Sequence, residues 1–129
     1  MRRMLKVLIV DDSKIIQRVL AAQLVAMGHS VVGCGNDGEE GVAMFAELRP
    51  ELTMLDITMP NQDGRECLDK ILKLDPAARV VMCSALKSQT VVDGCLKSGA
   101  LGFVEKEQLG NANYLRDKLS AILNLQNSQ

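Results

Sequence analysis

Five short apolar runs alternate with five amphipathic segments along this chain, and that alternation most restricts how it can fold. The apolar runs lie at 5–10, 30–34, 52–55, 79–83 and 102–104. Each is followed by a segment whose apolar residues recur at i, i+3 and i+4, the spacing of one helix face. Ser13, Asn36 or Asp37, and Ser88 are the candidate N-caps of three of these helices. Repeated strand–helix units fold as parallel strands covered by helices on both faces. The pattern therefore predicts an α/β fold with a five-stranded, doubly wound parallel sheet.

The order of the strands decides which residues meet. For five such units we expect the order 2-1-3-4-5, the arrangement found in flavodoxin-like folds. Ligands of such sheets bind outside the carboxyl ends of the strands, where the direction of winding reverses between strands 1 and 3. The residues at those strand ends are therefore the candidates for a functional site.

Composition excludes several classes of function. The chain of 129 residues suits one domain with one core, so we expect 1–129 to be a single domain. A net charge of −1 argues against partners that require a basic face, namely nucleic acid and anionic membrane surfaces. No apolar run has the length of a membrane span. The four cysteines and the single histidine, His29, lack the spacing of a zinc site. Cysteines scattered in this way are typical of a reducing, cytoplasmic location.

The first strand ends in two adjacent carboxylates, Asp11 and Asp12. Two such charges about 4 Å apart repel by roughly 4 kcal/mol at an effective dielectric constant of about 20. In the predicted sheet, Asp56 at the end of the third strand lies beside them. Three carboxylates at one edge favour a hard dication, Mg²⁺ or Mn²⁺, which offsets their repulsion.

Two further polar residues end the remaining strands of this edge. Ser84 ends the fourth strand and Lys106 follows the fifth. A dication that keeps some of its water can bind a phosphoryl group, whose oxygens a hydroxyl and an ammonium can then hydrogen-bond and neutralise. An aspartate can itself accept the phosphoryl group as an acyl phosphate.

Each of these residues also has a plainer interpretation. Asp-Asp-Ser is a common helix start, because acids favour the positive end of a helix. Ser84 can be a cap, and Lys106 can be an ordinary solvated surface charge. These interpretations do not predict the joint placement of polar residues at the ends of four strands.

Four segments carry a family resemblance: "VLIVDDS", "MLDITMPNQDG", "VVMCSA" and "SGALGFVEK". They resemble the receiver domain of two-component response regulators, closest to the single-domain chemotaxis (CheY-like) type, and the resemblance covers nearly the whole chain. It implies that Asp56 is the phosphoacceptor. It also implies that Mg²⁺ is bound directly by Asp12, Asp56 and the backbone carbonyl of Thr58, with Asp11 acting largely through water.

The same resemblance assigns the remaining site residues and the partners. Ser84 and Lys106 contact the phosphoryl group, and Phe103 matches an aromatic switch that reorients when Ser84 moves. The phosphoryl donor is a sensor histidine kinase or a phosphotransfer protein. An output protein docks on the face formed by the fourth helix, the fifth strand and the fifth helix. The domain is expected to catalyse only its own phosphorylation and dephosphorylation.

The chain departs from the family pattern at two positions. Glu107 follows the site lysine where the family usually has proline, and Phe103 lacks the hydroxyl of the frequent tyrosine. The family's Lys-Pro peptide is commonly cis. Because a cis bond before a residue other than proline costs roughly 2.5–4 kcal/mol, we expect the Lys106–Glu107 peptide to be trans.

Two other classes of function compete with the phosphoacceptor. One is a receiver-like interaction scaffold that is never phosphorylated, which Glu107 weakly favours. The other is a nucleotide-binding Rossmann-type enzyme, because "GCGNDG" at 33–38 matches G-x-G-x-x-G and Asp56 follows at a suitable distance. Against the enzyme, the matching segment belongs to the second unit, and Asp37, Glu39 and Glu40 would repel a pyrophosphate.

Overall fold

The computed structural model describes residues 3–59, 63–85 and 89–127, which form a parallel five-stranded sheet with helices on both faces. The strands are β1 Lys6–Val10, β2 Ser30–Gly35, β3 Leu52–Asp56, β4 Val80–Ser84 and β5 Gly102–Glu105. The helices are α1 Lys14–Ala26, α2 Gly38–Leu48, α3 Gly64–Leu74, α4 Gln89–Ser98 and α5 Tyr114–Asn127, and a 3₁₀ turn covers Lys106–Gln108. All the paired strands are parallel and their order is β2-β1-β3-β4-β5, which confirms the predicted fold.

The apolar core lies in two layers, one on each face of the sheet. In β1, Val7 and Ile9 belong to the layer beneath α1 and α5, whereas Leu8 and Val10 belong to the layer beneath α2 and α3. All four are fully buried, because β1 lies inside the sheet and both of its faces are covered. Successive side chains of a strand point to opposite faces, so a central strand must be apolar throughout.

Short polar residues start the helices that follow β1 and β2. The Ser13 hydroxyl accepts the Ile16 N–H at 3.2 Å, and a carboxylate oxygen of Asp37 accepts the Glu40 N–H at 2.8 Å. Both are N-caps of the kind that the sequence predicts. Ser88, the expected cap of α4, lies outside the described residues.

The backbone after β5 also follows the sequence-based prediction. Within the described ranges there is no cis peptide bond, so Lys106–Glu107 is trans as predicted. The chain turns there as a 3₁₀ segment whose Leu109 N–H donates to the Lys106 carbonyl at 3.1 Å.

The glycine-rich segment at 33–38 does not form a phosphate-binding loop. Gly33 and Gly35 are inside β2, and a Cβ atom on Gly33 would lie 2.6 Å from the Met44 side chain of α2. A Cβ atom on Gly41 would lie 2.8 Å from Val10. Because these glycines have no side chain, α2 can approach the sheet closely. Helix packing, rather than dinucleotide binding, therefore explains the glycines of this segment.

In the part of the chain that the structure describes, no helix is long and apolar enough to cross a membrane.

A buried hydroxyl in the sheet, that of Thr53, has no partner within the part of the chain that the structure describes. Thr53 of β3 is fully buried, and its hydroxyl has no hydrogen-bond partner among the described residues. Its strand neighbours in register are Leu8 and Val80, both part of the apolar layer beneath α2 and α3. A buried hydroxyl that loses its bonds to water without replacing them destabilises the fold by about 1–3 kcal/mol.

We therefore expect Thr53→Val to stabilise the protein by about 1 kcal/mol, since valine keeps the shape and removes the hydroxyl. The matched control is Thr53→Ser, which keeps the hydroxyl and removes the methyl group, and which should be less stable than wild type. Urea unfolding at fixed pH measures both changes. A Thr53→Val protein less stable than wild type would mean that the hydroxyl has a partner in solution.

Candidate functional site

Three carboxylates meet at the carboxyl edge of the sheet. Asp11 and Asp12 directly follow β1, and Asp56 is the last residue of the adjacent strand β3. One oxygen from each lies within 4.8 Å of the others. Asp11 and Asp56 are buried, at 1% and 3% exposure, while Asp12 is exposed. The sheet topology thus brings together the acidic residues that the sequence selects.

Lys106 provides the positive charge of this cluster. Its Nζ lies 2.8 Å from Asp11 Oδ2 and 3.0 Å from Asp56 Oδ1. Lys106 begins the 3₁₀ turn after β5, two strands away from Asp56, so its long side chain reaches along the sheet edge. The side chain is only 13% exposed, which makes these ion pairs largely desolvated.

Burial and the neighbouring charges together determine the ionisation of Asp56 and Lys106. Burial raises the pKa of Asp56 to about 6, the contact with Lys106 partly opposes that rise, and the Asp11 charge adds to it. For Lys106, burial alone would lower the pKa, but the contacts with Asp11 and Asp56 outweigh it and raise the pKa. At neutral pH the cluster therefore contains an ionised Asp56 beside a protonated lysine.

The loop after β3 approaches α3 very closely. The Thr58 N–H donates to Asp56 Oδ1 at 3.3 Å, and the Gly64 N–H donates to the Ile57 carbonyl at 2.8 Å. A Cβ atom on Gly64 would lie only 2.2 Å from the Asp56 carbonyl oxygen, too close for any other residue. Gly64, the glycine of the "NQDG" segment, thus lets the first turn of α3 pack directly against the backbone of Asp56.

The two other predicted residues lie on neighbouring strands. Ser84 is the last residue of β4 and is 5% exposed, one position beyond Cys83, the register partner of Asp56. Phe103 is the second residue of β5 and lies opposite Met82, and its side chain is partly buried. The Lys118 Nζ of α5 lies 4.8 Å above the centre of the Phe103 ring. Ser84 is therefore at the acidic edge, whereas the Phe103 ring packs against the apolar layer beneath α2 and α3 and is also contacted by Lys118 of α5.

Sequence reasoning missed Gln17, a residue of α1 that is 6% exposed. Its side-chain amide donates to the Asp11 carbonyl at 2.6 Å and to Asn36 Oδ1 at 2.9 Å. Glutamine is a common helix residue, so its presence gives no signal of a role. Only its position beneath the β1–α1 loop relates it to the acidic cluster.

The donor set fits a hard divalent cation. Three carboxylates and one ammonium leave two negative charges uncompensated when all four groups are ionised. Asp11 Oδ2 is buried and receives no hydrogen bond of ordinary geometry among the described residues, its only compensation being the ammonium. Carboxylate oxygens are the ligands that Mg²⁺ and Mn²⁺ prefer, and soft ligands are absent from the cluster.

Comparison with known proteins agrees with this geometry. The sequence matches the response regulator receiver domain over residues 7–119. The chemotaxis protein CheY of Thermotoga maritima is 37% identical over 101 residues, which cover 78% of this chain and 84% of that protein. The CheY of Listeria monocytogenes is 40% identical over 103 residues, covering 80% and 87% of the two chains.

A solved structure gives the same answer for the fold. The CheX–CheY–BeF₃–Mg²⁺ complex from Borrelia burgdorferi aligns with a TM-score of 0.81 at 31% identity, over 92% of this chain and 88% of that one. Sequence and fold thus agree over most of the chain: it belongs to the response regulator receiver domain family and is homologous to CheY.

Proposed function

We propose that this receiver accepts a phosphoryl group on Asp56 and signals through altered protein binding, in a two-component and chemotaxis-type pathway. One observation carries the proposal: a buried carboxylate at a strand end, contacted by Lys106 and by the Thr58 N–H, inside a cluster of three acids. The donor is a phosphohistidine on a sensor kinase or a phosphotransfer protein. Asp56 attacks phosphorus, the P–N bond to histidine breaks, and an O–P bond to Asp56 forms.

Asp12, Asp56 and the backbone carbonyl of Thr58 are the proposed direct ligands of Mg²⁺, with Asp11 acting through water. Mg²⁺ supplies neutralisation of the charge on the phosphoryl oxygens during transfer. The fit of the three carboxylates to a hard cation supports this assignment, as does the presence of Mg²⁺ and BeF₃ in the Borrelia CheY complex.

Lys106 and Ser84 are the proposed contacts of the phosphoryl oxygens. The pKa of Lys106 is raised, so the side chain is charged throughout the neutral range and can neutralise an oxygen. Ser84 is at the end of β4 beside β3, within the same edge of the sheet. Catalysis by this chain is then limited to its own phosphorylation and to hydrolysis of the O–P bond by water, which returns Asp56.

The proposed output surface is formed by α4, β5 and α5. Val91 and Leu96 of α4 are 38% and 37% exposed, and Phe103 of β5 is partly exposed beneath Lys118. Reorientation of Phe103 together with Ser84 would change the shape of this surface. A cytoplasmic protein partner is proposed to bind it, and the Borrelia CheY complex with CheX supports regulation through a protein partner.

The competing function is a receiver-like scaffold that is never phosphorylated. Glu107, in place of the proline usual at that position, is the one feature that favours it. The two functions differ in whether Asp56 gains a phosphoryl group, so a mass measurement separates them.

Incubation with acetyl phosphate and Mg²⁺ should add one phosphoryl group to the wild-type chain and none to Asp56→Asn, because asparagine keeps the shape and lacks the nucleophile. Intact-mass spectrometry measures the adduct. Asp63→Asn, which changes a capping acid close to the same loop, is the control and should still form it. No adduct on the wild type would favour the scaffold, and an adduct of equal yield on Asp56→Asn would place the chemistry elsewhere.

Asp12→Ala should weaken Mg²⁺ binding by at least roughly tenfold, because it removes a proposed direct ligand. Isothermal titration calorimetry gives the dissociation constant. Asp93→Ala removes an equal charge from an exposed position on α4 and should leave the affinity nearly unchanged. Equal affinities for wild type and Asp12→Ala would refute the assignment of this ligand.

Without metal, Asp56 should destabilise the fold at neutral pH. Its pKa of about 6 when folded is above the unfolded value near 3.9, so its stabilising contribution is complete below pH 4 and is lost as the pH rises through 6. Asparagine at position 56 cannot ionise, so the Asp56→Asn protein should not show this loss of stability with rising pH. In EDTA, the free energy of unfolding of Asp56→Asn should exceed that of wild type by roughly 1–2 kcal/mol at pH 7.5.

Thermal melting at a series of pH values from 4.5 to 7.5 measures the difference between the two proteins. Titrating groups far from Asp56 contribute equally to both proteins and cancel. A difference that does not grow with pH, or an Asp56→Asn protein less stable than wild type at pH 7.5, would contradict the shifted ionisation.

A further inference from the structure

The exposed Asp12 lacks the contacts that fix the other two acids of the cluster. Asp11 accepts the Ser13 N–H at 2.8 Å and pairs with Lys106, and Asp56 pairs with Lys106 as well. Among the described residues, Asp12 makes no hydrogen bond or ion pair through its side chain. Its place in the cluster therefore depends on the backbone that carries it, above all on the peptide that joins it to Asp11.

A hydrogen bond from the Gln17 side chain holds that peptide in place. The Gln17 Nε2 donates at 2.6 Å to the carbonyl of Asp11, which is one half of the Asp11–Asp12 peptide. The second N–H of the amide faces Asn36 Oδ1 at 2.9 Å, with the Gly35 carbonyl farther away at 3.5 Å. Because a peptide is planar, fixing its carbonyl also fixes the direction in which Asp12 leaves it.

Gln17 is itself rigidly placed. The side chain is buried, and its acceptor Asn36 is fixed in turn by Lys14, whose Nζ donates to the same Oδ1 at 2.6 Å, and by Glu40, whose carboxylate accepts the Asn36 N–H at 2.7 Å. A buried amide with both N–H groups satisfied is costly to move. Gln17 thus joins the carboxyl ends of β1 and β2 at the base of the acidic cluster.

We propose that Gln17 is a positioning residue for the metal site: it orients the Asp11–Asp12 peptide so that the exposed Asp12 carboxylate faces Asp56. The inference rests on the proposed function, since it concerns the same Mg²⁺ site. Residues that orient metal ligands through hydrogen bonds typically change affinity by about 10–100-fold when they are replaced.

The test is Gln17→Met, which has nearly the same length and volume and cannot donate a hydrogen bond. The matched control is Gln23→Met on the same helix, where Nε2 also donates to a backbone carbonyl, that of Leu109 at 2.8 Å. Gln23→Met loses this one bond, whereas Gln17→Met loses the bonds to the Asp11 carbonyl and to Asn36. Of the two glutamines, only Gln17 contacts the β1–α1 loop. Calorimetric titration with Mg²⁺ should show binding about tenfold weaker in Gln17→Met and unchanged in Gln23→Met.

The amide resonance of Asp12 provides a readout that stability alone would not move. In the metal-free state it should shift in Gln17→Met and stay in place in Gln23→Met. Equal Mg²⁺ affinity and an unmoved Asp12 resonance in Gln17→Met would overturn the inference, while leaving the proposed function intact. A wild-type chain that binds no Mg²⁺ would instead refute the proposed function.

If Gln17→Met does not fold, Asn36→Ala supplies the same test from the other side of the amide. It removes the acceptor of the second Gln17 N–H while leaving the buried glutamine in place. A several-fold loss of Mg²⁺ affinity, with a shifted Asp12 resonance, would support the inference. Wild-type affinity in this variant would overturn it.

Discussion

The contact of the Lys106 ammonium with Asp11 and Asp56 is the interaction on which the site depends. Two buried carboxylates beside each other would repel strongly in a medium of low dielectric constant, and each would lose its hydration. One ammonium 2.8 and 3.0 Å away compensates part of this cost. The compensation is incomplete, which explains why the pKa of Asp56 stays raised at about 6 despite the lysine. The fold thus contains a site with an excess of negative charge, which suits the hard dication proposed to bind there.

The sheet provides the framework that makes this contact possible. Lys106 follows β5 and Asp11 follows β1, so the two residues are nearly a hundred positions apart in the chain, yet the order β2-β1-β3-β4-β5 places their strand ends at one edge. The apolar layers on both faces fix the strands, and the polar edge is left free for chemistry. Close approaches of backbone refine the geometry: Gly64 brings α3 against the Asp56 carbonyl. Stability and function are therefore separated within the same strands, with apolar residues in the body and charged residues at the ends.

Much of this could be predicted from the sequence, because the relevant signals are local. Alternating apolar runs and helical periodicity predicted the strands to within about one residue, and Ser13 and the pair Asn36-Asp37 indicated two helix starts. Strand ends that carry Asp11, Asp12, Asp56, Ser84 and Lys106 then defined one edge. Other features carry no local signal. The contacts of Gln17 involve residues from a different strand end, and the unpartnered hydroxyl of Thr53 looks like any β-branched strand residue until its neighbours are known.

By itself the sequence determined the fold class, the family, and the set of polar residues at the strand ends, since periodicity and motif spacing are properties of the chain alone. The tertiary structure decided the burial and the contacts of each of those residues. It buried Asp11 and Asp56 but left Asp12 exposed, it paired Lys106 with the two buried acids, and it placed Gln17 under the peptide between Asp11 and Asp12. Burial, ion pairing and pKa depend on which atoms from distant segments come within a few ångströms of one another. Such distances are set by the packing of helices on the sheet, and no local pattern of residues encodes them.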